Sequence, residues 1–282
     1  MKVELGHPSA EAGKAALDAL EKTVGDFRKD GYDVLVTAPI DKSTIQSDTF
    51  HFSGHTEYLE ERIGEGSKAL MMLVKDNLRV ALVTAHEPLS KVPALITKEL
   101  VKEKIEKLSR SLKEDFGLTS PRIGVMALNP HAGDEGLLGK EEQEIISPAI
   151  AEAKVGGILC YGPFSPDGFW GSGSYTKFDG ILAMYHDQGL IPFKLLAMDE
   201  GVNYTAGLPL IRTSPDHGTA FDIAGKNEAS EASFRNAIYQ AIDVFRIRRN
   251  EKAVFRNPLR KSFFDRRDDS DKLKLDSNEE QQ

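Results

Sequence analysis

The chain has 282 residues, with 44 acidic and 36 basic side chains and a formal net charge of −8, a balance that argues against a nucleic-acid-binding surface while leaving room for a local basic pocket for a small anion. Hydrophobic residues make up 40% and charged residues 28%, an ordinary globular composition that excludes wholesale disorder and fibrous classes. No stretch approaches eighteen apolar residues, the first six residues lack the apolar core of a signal peptide, and the single cysteine, Cys160, makes no internal disulfide, so a cytoplasmic protein without a membrane anchor is expected.

In chain order, Ser9 is placed to cap a helix over 10–29, with Leu17, Leu20, Val24 and Phe27 on one face and Gly31 at its exit. Val34-Leu35-Val36 reads as a short buried strand. Residues 39–55 read as loop, and Thr56 as the cap of a short helix. Strands are predicted at 69–74 and 79–84, joined by a hairpin turn at Asp76-Asn77. Val101, Ile105, Leu108 and Leu112 set the rhythm of a helix over 97–116 that Gly117 ends. A strand at 122–128 runs into the loop from Asn129 to Gly136. Further strands are expected at 157–161, 180–185 and 207–212. Ser230 or Ser233 caps a last helix with Phe234, Ile238, Ile242 and Phe245 on its core side. Alternating strands and helices predict an α/β fold around a mixed, largely parallel sheet. Residues 265–282 are mostly charged and polar, the pattern of a solvated tail.

Three of the seven histidines, His86, His131 and His186, each follow an apolar strand candidate. Ligands gather at the carboxyl ends of strands in α/β proteins. These imidazoles could converge on one divalent ion, although their wide spacing matches no local metal motif and each could equally serve a nearby loop. His186-Asp187-Gln188-Gly189 and Lys194 group an imidazole, a carboxylate and an ammonium, a set suited to proton transfer. Gly54-His55-Thr56-Glu57 stands where a loop enters a helix and suits an anion or a simple cap. Arg212 ends an apolar run and can grip a phosphate or carboxylate, or pair at the surface. The two-glycine loop from Asp216 to Asn227 lets backbone approach a flat cofactor, or simply turns into the last helix. No Gly-x-Gly-x-x-Gly occurs, so an ordinary dinucleotide fingerprint is absent.

Together these strings resemble the 4-hydroxythreonine-4-phosphate dehydrogenase family of vitamin B6 synthesis. The matching segments are Val36–Lys42, Gly54–Glu57, Leu128–Gly133, Ala183–Gly189, Gly207–Pro209 with Ile211–Ser214, and Asp216–Ala220, in family order. The segment 216–227 also resembles the cofactor loop of isocitrate and isopropylmalate dehydrogenases. The resemblance implies a two-domain α/β/α fold of that kind, with the active site in an interdomain cleft at a dimer interface. The first, cofactor-side domain would comprise 1–45 with 215–260 and be incomplete at its N-terminus; the second, for metal and dimerisation, 46–214; a charged tail would follow over 261–282. Family members begin with a strand and a glycine-rich loop upstream of the segment matching residue 10, and this chain starts downstream of that stretch.

By the same resemblance, the activity is a divalent-metal-assisted oxidation of 4-phosphooxy-L-threonine by NAD or NADP. The product, 2-amino-3-oxo-4-phosphooxybutanoate, decarboxylates to 3-amino-2-oxopropyl phosphate. His86, His131 and His186 would hold the metal (zinc, cobalt, magnesium or manganese), with ligands drawn from both subunits of a homodimer. His55, Thr56, Asp167, Lys194, Asn203 and Arg212 would meet the substrate, and Lys194 and Asp187 would serve the chemistry. His217, Gly218, Gly225 and Asn227 would line the cofactor site. The rivals are a dehydrogenase of threonate or erythronate 4-phosphate, and a truncated remnant that binds phosphorylated metabolites without hydride transfer.

Overall fold

The computed structural model describes residues 4–255; the expected charged tail and residues 256–260 of the first expected domain lie outside the described residues. Among the described residues there are eight strands: β1 (Val34–Val36), β2 (Leu70–Lys75), β3 (Leu78–Leu82), β4 (Arg122–Met126), β5 (Leu159–Phe164), β6 (Gly180–Ala183), β7 (Val202–Ala206) and β8 (Ile211–Pro215). Eight α-helices accompany them: α1 (Ala10–Phe27), α2 (His55–Ile63), α3 (Val92–Leu95), α4 (Lys98–Glu114), α5 (Ser147–Val155), α6 (Pro166–Gly171), α7 (His186–Ala197) and α8 (Ala232–Phe255). The strands form one mixed sheet in the order β1-β8-β7-β2-β3-β6-β4-β5. Pairing is parallel for β1/β8, β3/β6, β4/β6 and β4/β5, and antiparallel for β2/β3, β2/β7 and β7/β8. The mixed α/β architecture is the one expected.

Local chemistry explains the clearest elements. Ser9 Oγ accepts from Ala12 N at 3.2 Å at the start of α1, and Thr97 Oγ1 accepts from Leu100 N at 3.1 Å at the start of α4. Val101, Ile105, Leu108 and Leu112 of α4 are all fully buried, each contributing about 1.5–3 kcal/mol by removal from water. The β2/β3 hairpin turns at Asp76-Asn77 with Lys75 opposite Leu78, as the sequence predicts.

Three expectations are corrected. The predicted strand at 207–212 is a hairpin instead: β7 ends at Ala206, Gly207 turns at φ 83°, and β8 starts at Ile211. Leu208 and Leu210 made the turn look like strand because they are buried, plugging a core from within a loop. In α8 the inward face carries Ala237, Ala241 and Val244, fully buried; of the expected core side chains Phe245 packs half-buried against that core, whereas Phe234 and Ile238 are each 38% exposed. Small side chains bring this helix close enough for Thr213 Oγ1 to donate to the Ala237 carbonyl at 2.8 Å. Thr56 does not cap α2: Gly54 occupies the cap position and Thr56 lies within the first turn.

The two sheet faces differ. One is covered by α4, α5 and α8 over the largest core, which includes Met72, Val83, Ile123 and Tyr204. The other carries two separate cores. α1 and α2 pack around Phe50, Tyr58 and Leu210 on the β1/β8 side, and α7 packs with Leu73, Leu82, Ala183 and Phe193 on the β3/β6 side. Residues opposite one another across a ladder project to the same face. The pairs Asn203/Ser214 and Thr205/Arg212 therefore share a face, and it is the one between those two cores. Among the described residues no helix is long and apolar enough to cross a membrane.

Candidate active site

A cavity of about 260 Å³ opens in that groove, with Arg212, Asn203 and Ser214 from the sheet, His55, Thr56 and Glu57 from α2, and Lys194 from α7. Arg212 is 3% exposed. Its Nε and Nη2 donate to Thr37 Oγ1 at 3.1 and 2.7 Å, and its Nη1 donates to Thr205 Oγ1 at 3.2 Å. Among the described residues no carboxylate stands within ion-pair range of it. Burial pushes its pKa down to about 10, against an opposing pull from Glu57. A buried guanidinium held only by neutral hydroxyls is an uncompensated charge, which a bound anion would balance. Close by, Asn203 Oδ1 is buried without a hydrogen-bond partner.

His86 and His186 reach the same cavity because their strands are parallel neighbours. Leu82 of β3 pairs with Ala183 of β6, and the pairing continues through Val83 N to the Ala183 carbonyl and Thr84 N to the Met184 carbonyl. Each chain then leaves the sheet at the same level, and the two imidazole centroids lie 6.0 Å apart. Gln188 fixes the start of α7: its Oε1 accepts from Met184 N and its Nε2 donates to the Ala127 carbonyl, both at 2.7 Å. Each ring has a carboxylate at Nδ1. Asp187 Oδ1 lies 2.7 Å from His186 Nδ1, and Glu57 Oε1 lies 3.6 Å from His86 Nδ1. Burial would raise the Glu57 carboxyl, but His86, the Glu57 backbone N–H and the Lys42 charge together outweigh it and hold the group below its ordinary value.

This pair suits a divalent ion. Imidazoles bound through nitrogen at about 2.0–2.1 Å hold their ring centres roughly 5–6 Å apart. A carboxylate on Nδ1 leaves Nε2 for the metal. Among the described residues no set of three or more His, Cys, Asp or Glu is arranged to hold a metal ion, and His86 and His186 are the two imidazoles that line this cavity together. His131 is absent from the cavity lining. It stands exposed on the loop after β4, near enough to Asp167 that its charge helps lower that carboxyl, after the larger effects of Ser165 and the Gly168 backbone. Asp167 likewise does not reach the cavity, and Asp187 sits behind the two imidazoles in a neighbouring hollow.

His55 is pushed down to about 3, first by burial and then by the Arg212 charge, so its ring is neutral at physiological pH. Lys194 Nζ lies 3.8 Å from Asp216 Oδ1, and burial raises the Asp216 carboxyl while Lys194 and His217 oppose that rise. His217, Gly218, Gly225 and Asn227 all line an adjoining cavity of about 680 Å³, and the first two also border the cavity of Arg212. Sequence reasoning missed Thr37, Thr205, Glu57 and Asp216 as members of the site. Thr37, Glu57 and Asp216 fall inside the motif strings; Thr205 has no signal except its place opposite Arg212 in the β7/β8 ladder.

An α/β sheet that gathers a bare buried arginine, a lysine and paired imidazoles beside a glycine-bearing loop defines the site of an enzyme acting on a small anionic metabolite. The chain belongs to the pyridoxal phosphate biosynthetic protein PdxA family, whose profile matches residues 1–241. It is 64% identical over 280 residues to the 4-hydroxythreonine-4-phosphate dehydrogenase of Bacteroides thetaiotaomicron, covering 99% of this chain and 77% of that protein. The crystal structure of the 4-hydroxythreonine-4-phosphate dehydrogenase from Klebsiella pneumoniae is similar at 35% identity and a TM-score of 0.74, over 86% of this chain and 74% of that one. The corresponding Burkholderia phymatum structure matches at 39% identity and a TM-score of 0.69, over 86% and 73% of the two chains.

Proposed function

We propose that this chain oxidises 4-phosphooxy-L-threonine to 2-amino-3-oxo-4-phosphooxybutanoate with NAD or NADP, the product then losing carbon dioxide to give 3-amino-2-oxopropyl phosphate. The observation that carries the reading is Arg212, a buried cation with hydroxyl partners and no carboxylate. It anchors the anionic end of the substrate. Asn203 Oδ1, lacking a partner, accepts from a donor on the substrate. Neutral His55 and the Thr56 hydroxyl complete the polar wall without adding charge.

Lys194, acting as the neutral amine, takes the proton of the reacting hydroxyl and becomes the ammonium as the carbon-bound hydrogen leaves as hydride for the nicotinamide. Asp187, engaged with His186, orients that imidazole rather than receiving the substrate's proton. His86 and His186 would hold a divalent ion, which would supply positive charge beside the reacting oxygen. NAD(P) supplies the hydride acceptor, and its place is the cavity of His217, Gly218, Gly225 and Asn227, next to that of Arg212. The cofactor loop falls in the expected unit of 1–45 with 215–260.

The third ion ligand, on this reading, is the partner's His131 in a homodimer. Support comes from the exposure of His131 and of its apolar neighbours Leu137, 79% exposed, and Leu138, together with Leu159 and Tyr161 on the edge strand β5. The test is turnover on 4-phosphooxy-L-threonine beside threonate and erythronate 4-phosphates. The first should be oxidised with much the highest kcat/KM, and Arg212→Ala should raise its KM by about 100-fold, the loss of a charge-assisted bidentate contact. Preference for a sugar-acid phosphate, or no reduced nicotinamide with any of them, would reject the proposal.

A further inference from the structure

Five consecutive residues, His131 to Glu135, hold φ between 44° and 82°, and only Gly133 among them is a glycine. L-residues avoid this left-handed region because Cβ crowds the following carbonyl, so such a run persists only where its surroundings impose it. The buried group beneath the loop is Glu142. It opens a π-helical turn, Glu142–Ile146, and is 3% exposed. Its Oε1 accepts from Leu128 N at 2.8 Å and from Asn129 N at 2.7 Å, and its Oε2 accepts from Asn129 Nδ2 at 3.0 Å.

Among the described residues no cation stands within ion-pair range of this carboxylate. It serves N–H donors alone, and it shares the Asn129 amide with Glu141, whose Oε2 accepts from Asn129 Nδ2 at 2.7 Å. The incoming arm supplies the three donors. On the outgoing arm, a Cβ at Gly133 would stand 2.6 Å from Glu142 Oε2, and one at Gly139 would stand 2.4 Å from Asn129 Nδ2. Leu138 N returns to the Gly133 carbonyl at 3.0 Å and closes the turn. His131 is exposed to solvent on this loop.

We propose that Glu142 is a positioning residue whose buried carboxylate holds the 129–139 loop in its left-handed form and so presents the His131 imidazole ready to bind an ion. The proposal rests on the reading of His131 as a metal ligand. A carboxylate is suited to the task because one oxygen can accept from two successive backbone N–H groups while the other holds the Asn129 amide.

The experiment uses the full chain with Glu142→Ala and Glu142→Gln, titrated with Co²⁺ alone, with the visible bands of the bound ion recorded. Glu142→Ala should weaken Co²⁺ by about tenfold or more, as loss of a group that orients a ligand does, and should alter the bands. Glu142→Gln keeps an oxygen for the two backbone donors and should recover most of the affinity. kcat should fall with Co²⁺ affinity, while KM for the phosphorylated substrate, set at Arg212, stays within about twofold. Amide hydrogen exchange over 128–139 should accelerate in Glu142→Ala and little in Glu142→Gln. Wild-type Co²⁺ affinity and wild-type exchange in Glu142→Ala would overturn the proposal. If His131→Ala binds Co²⁺ as the wild type does, the metal reading of His131 fails, and the exchange rates alone decide whether Glu142 holds the loop. Should Glu142→Ala not fold, Glu142→Asp takes its place: it keeps the charge but withdraws the oxygens by one methylene. It should lose affinity and protection alike, and unchanged values would overturn the proposal.

Discussion

Arg212 and Thr37 lie 175 residues apart in sequence, yet one threonine hydroxyl accepts from both Nε and Nη2 of the guanidinium, at 3.1 and 2.7 Å. The parallel pairing of β1 with β8 puts Leu35 beside Arg212, and Thr37 N continues the ladder to the Thr213 carbonyl at 3.0 Å. The hydroxyl sets the plane of the guanidinium and leaves its charge unspent.

Thr37→Val keeps the volume and removes that acceptor. Two buried donors then lose their partner, which should cost about 1–3 kcal/mol in urea unfolding. KM for the phosphorylated substrate should rise by about tenfold as the fork loses its orientation, with kcat changed less. An unchanged KM would mean that the guanidinium is oriented by other groups.

His55 makes stability depend on pH in a known direction. Its folded pKa is about 3, and the unfolded value is near 6.5. Above pH 6.5 the ring is neutral in both states and its contribution is fully present. As the pH falls below 6.5, the unfolded chain takes up a proton that the folded chain resists, so stability is lost progressively toward pH 3. His55→Asn should flatten the fall between pH 7 and 5 in denaturant titrations. An identical slope in wild type and variant would show that this ring does not carry the dependence.

Lys194 is half exposed at the cavity and pairs only loosely with Asp216. Lys194→Met should leave thermal stability nearly unchanged while kcat drops by about 10²- to 10⁴-fold, the range for removal of a general acid–base group. A stable variant with normal kcat would remove Lys194 from the chemistry.

Asp187 and His186 form a carboxylate–imidazole pair 2.7 Å long. Dialysis against a chelator should abolish turnover, and Co²⁺ should restore it. Asp187→Asn should weaken Co²⁺ binding by about 10- to 100-fold, because the ring loses the partner that fixes its tautomer and basicity. Equal affinity in the variant would show that the carboxylate does not prepare His186 for a metal.

Much of the fold was legible because its signals are local. The cap Ser9, the four-residue apolar stripe of α4 and the Asp76-Asn77 turn act within a few residues, and they appear where the sequence puts them. α7 went unread since Gly189 and Pro192 interrupt its pattern; Gln188, reaching the Met184 amide and the Ala127 carbonyl, secures its start. The inward face of α8 was misjudged because the largest apolar residues were assigned to the core, whereas close approach to β8 selects alanine.

The amino-acid sequence by itself determined the site's chemical inventory and the family: imidazoles after strands, an arginine, a lysine and a glycine-bearing loop, each written in a short string. Tertiary structure alone decided which of these meet. His86 and His186 face each other because β3 and β6 run parallel in one register, and Arg212 is bare because the ladder offers it threonines rather than carboxylates. His131 stands apart because it lies on a left-handed loop after β4, whose entry, at Leu128 and Asn129, is bonded to the buried Glu142. Strand order, register and burial are long-range properties, fixed by which apolar faces close on one another, and no short string encodes them.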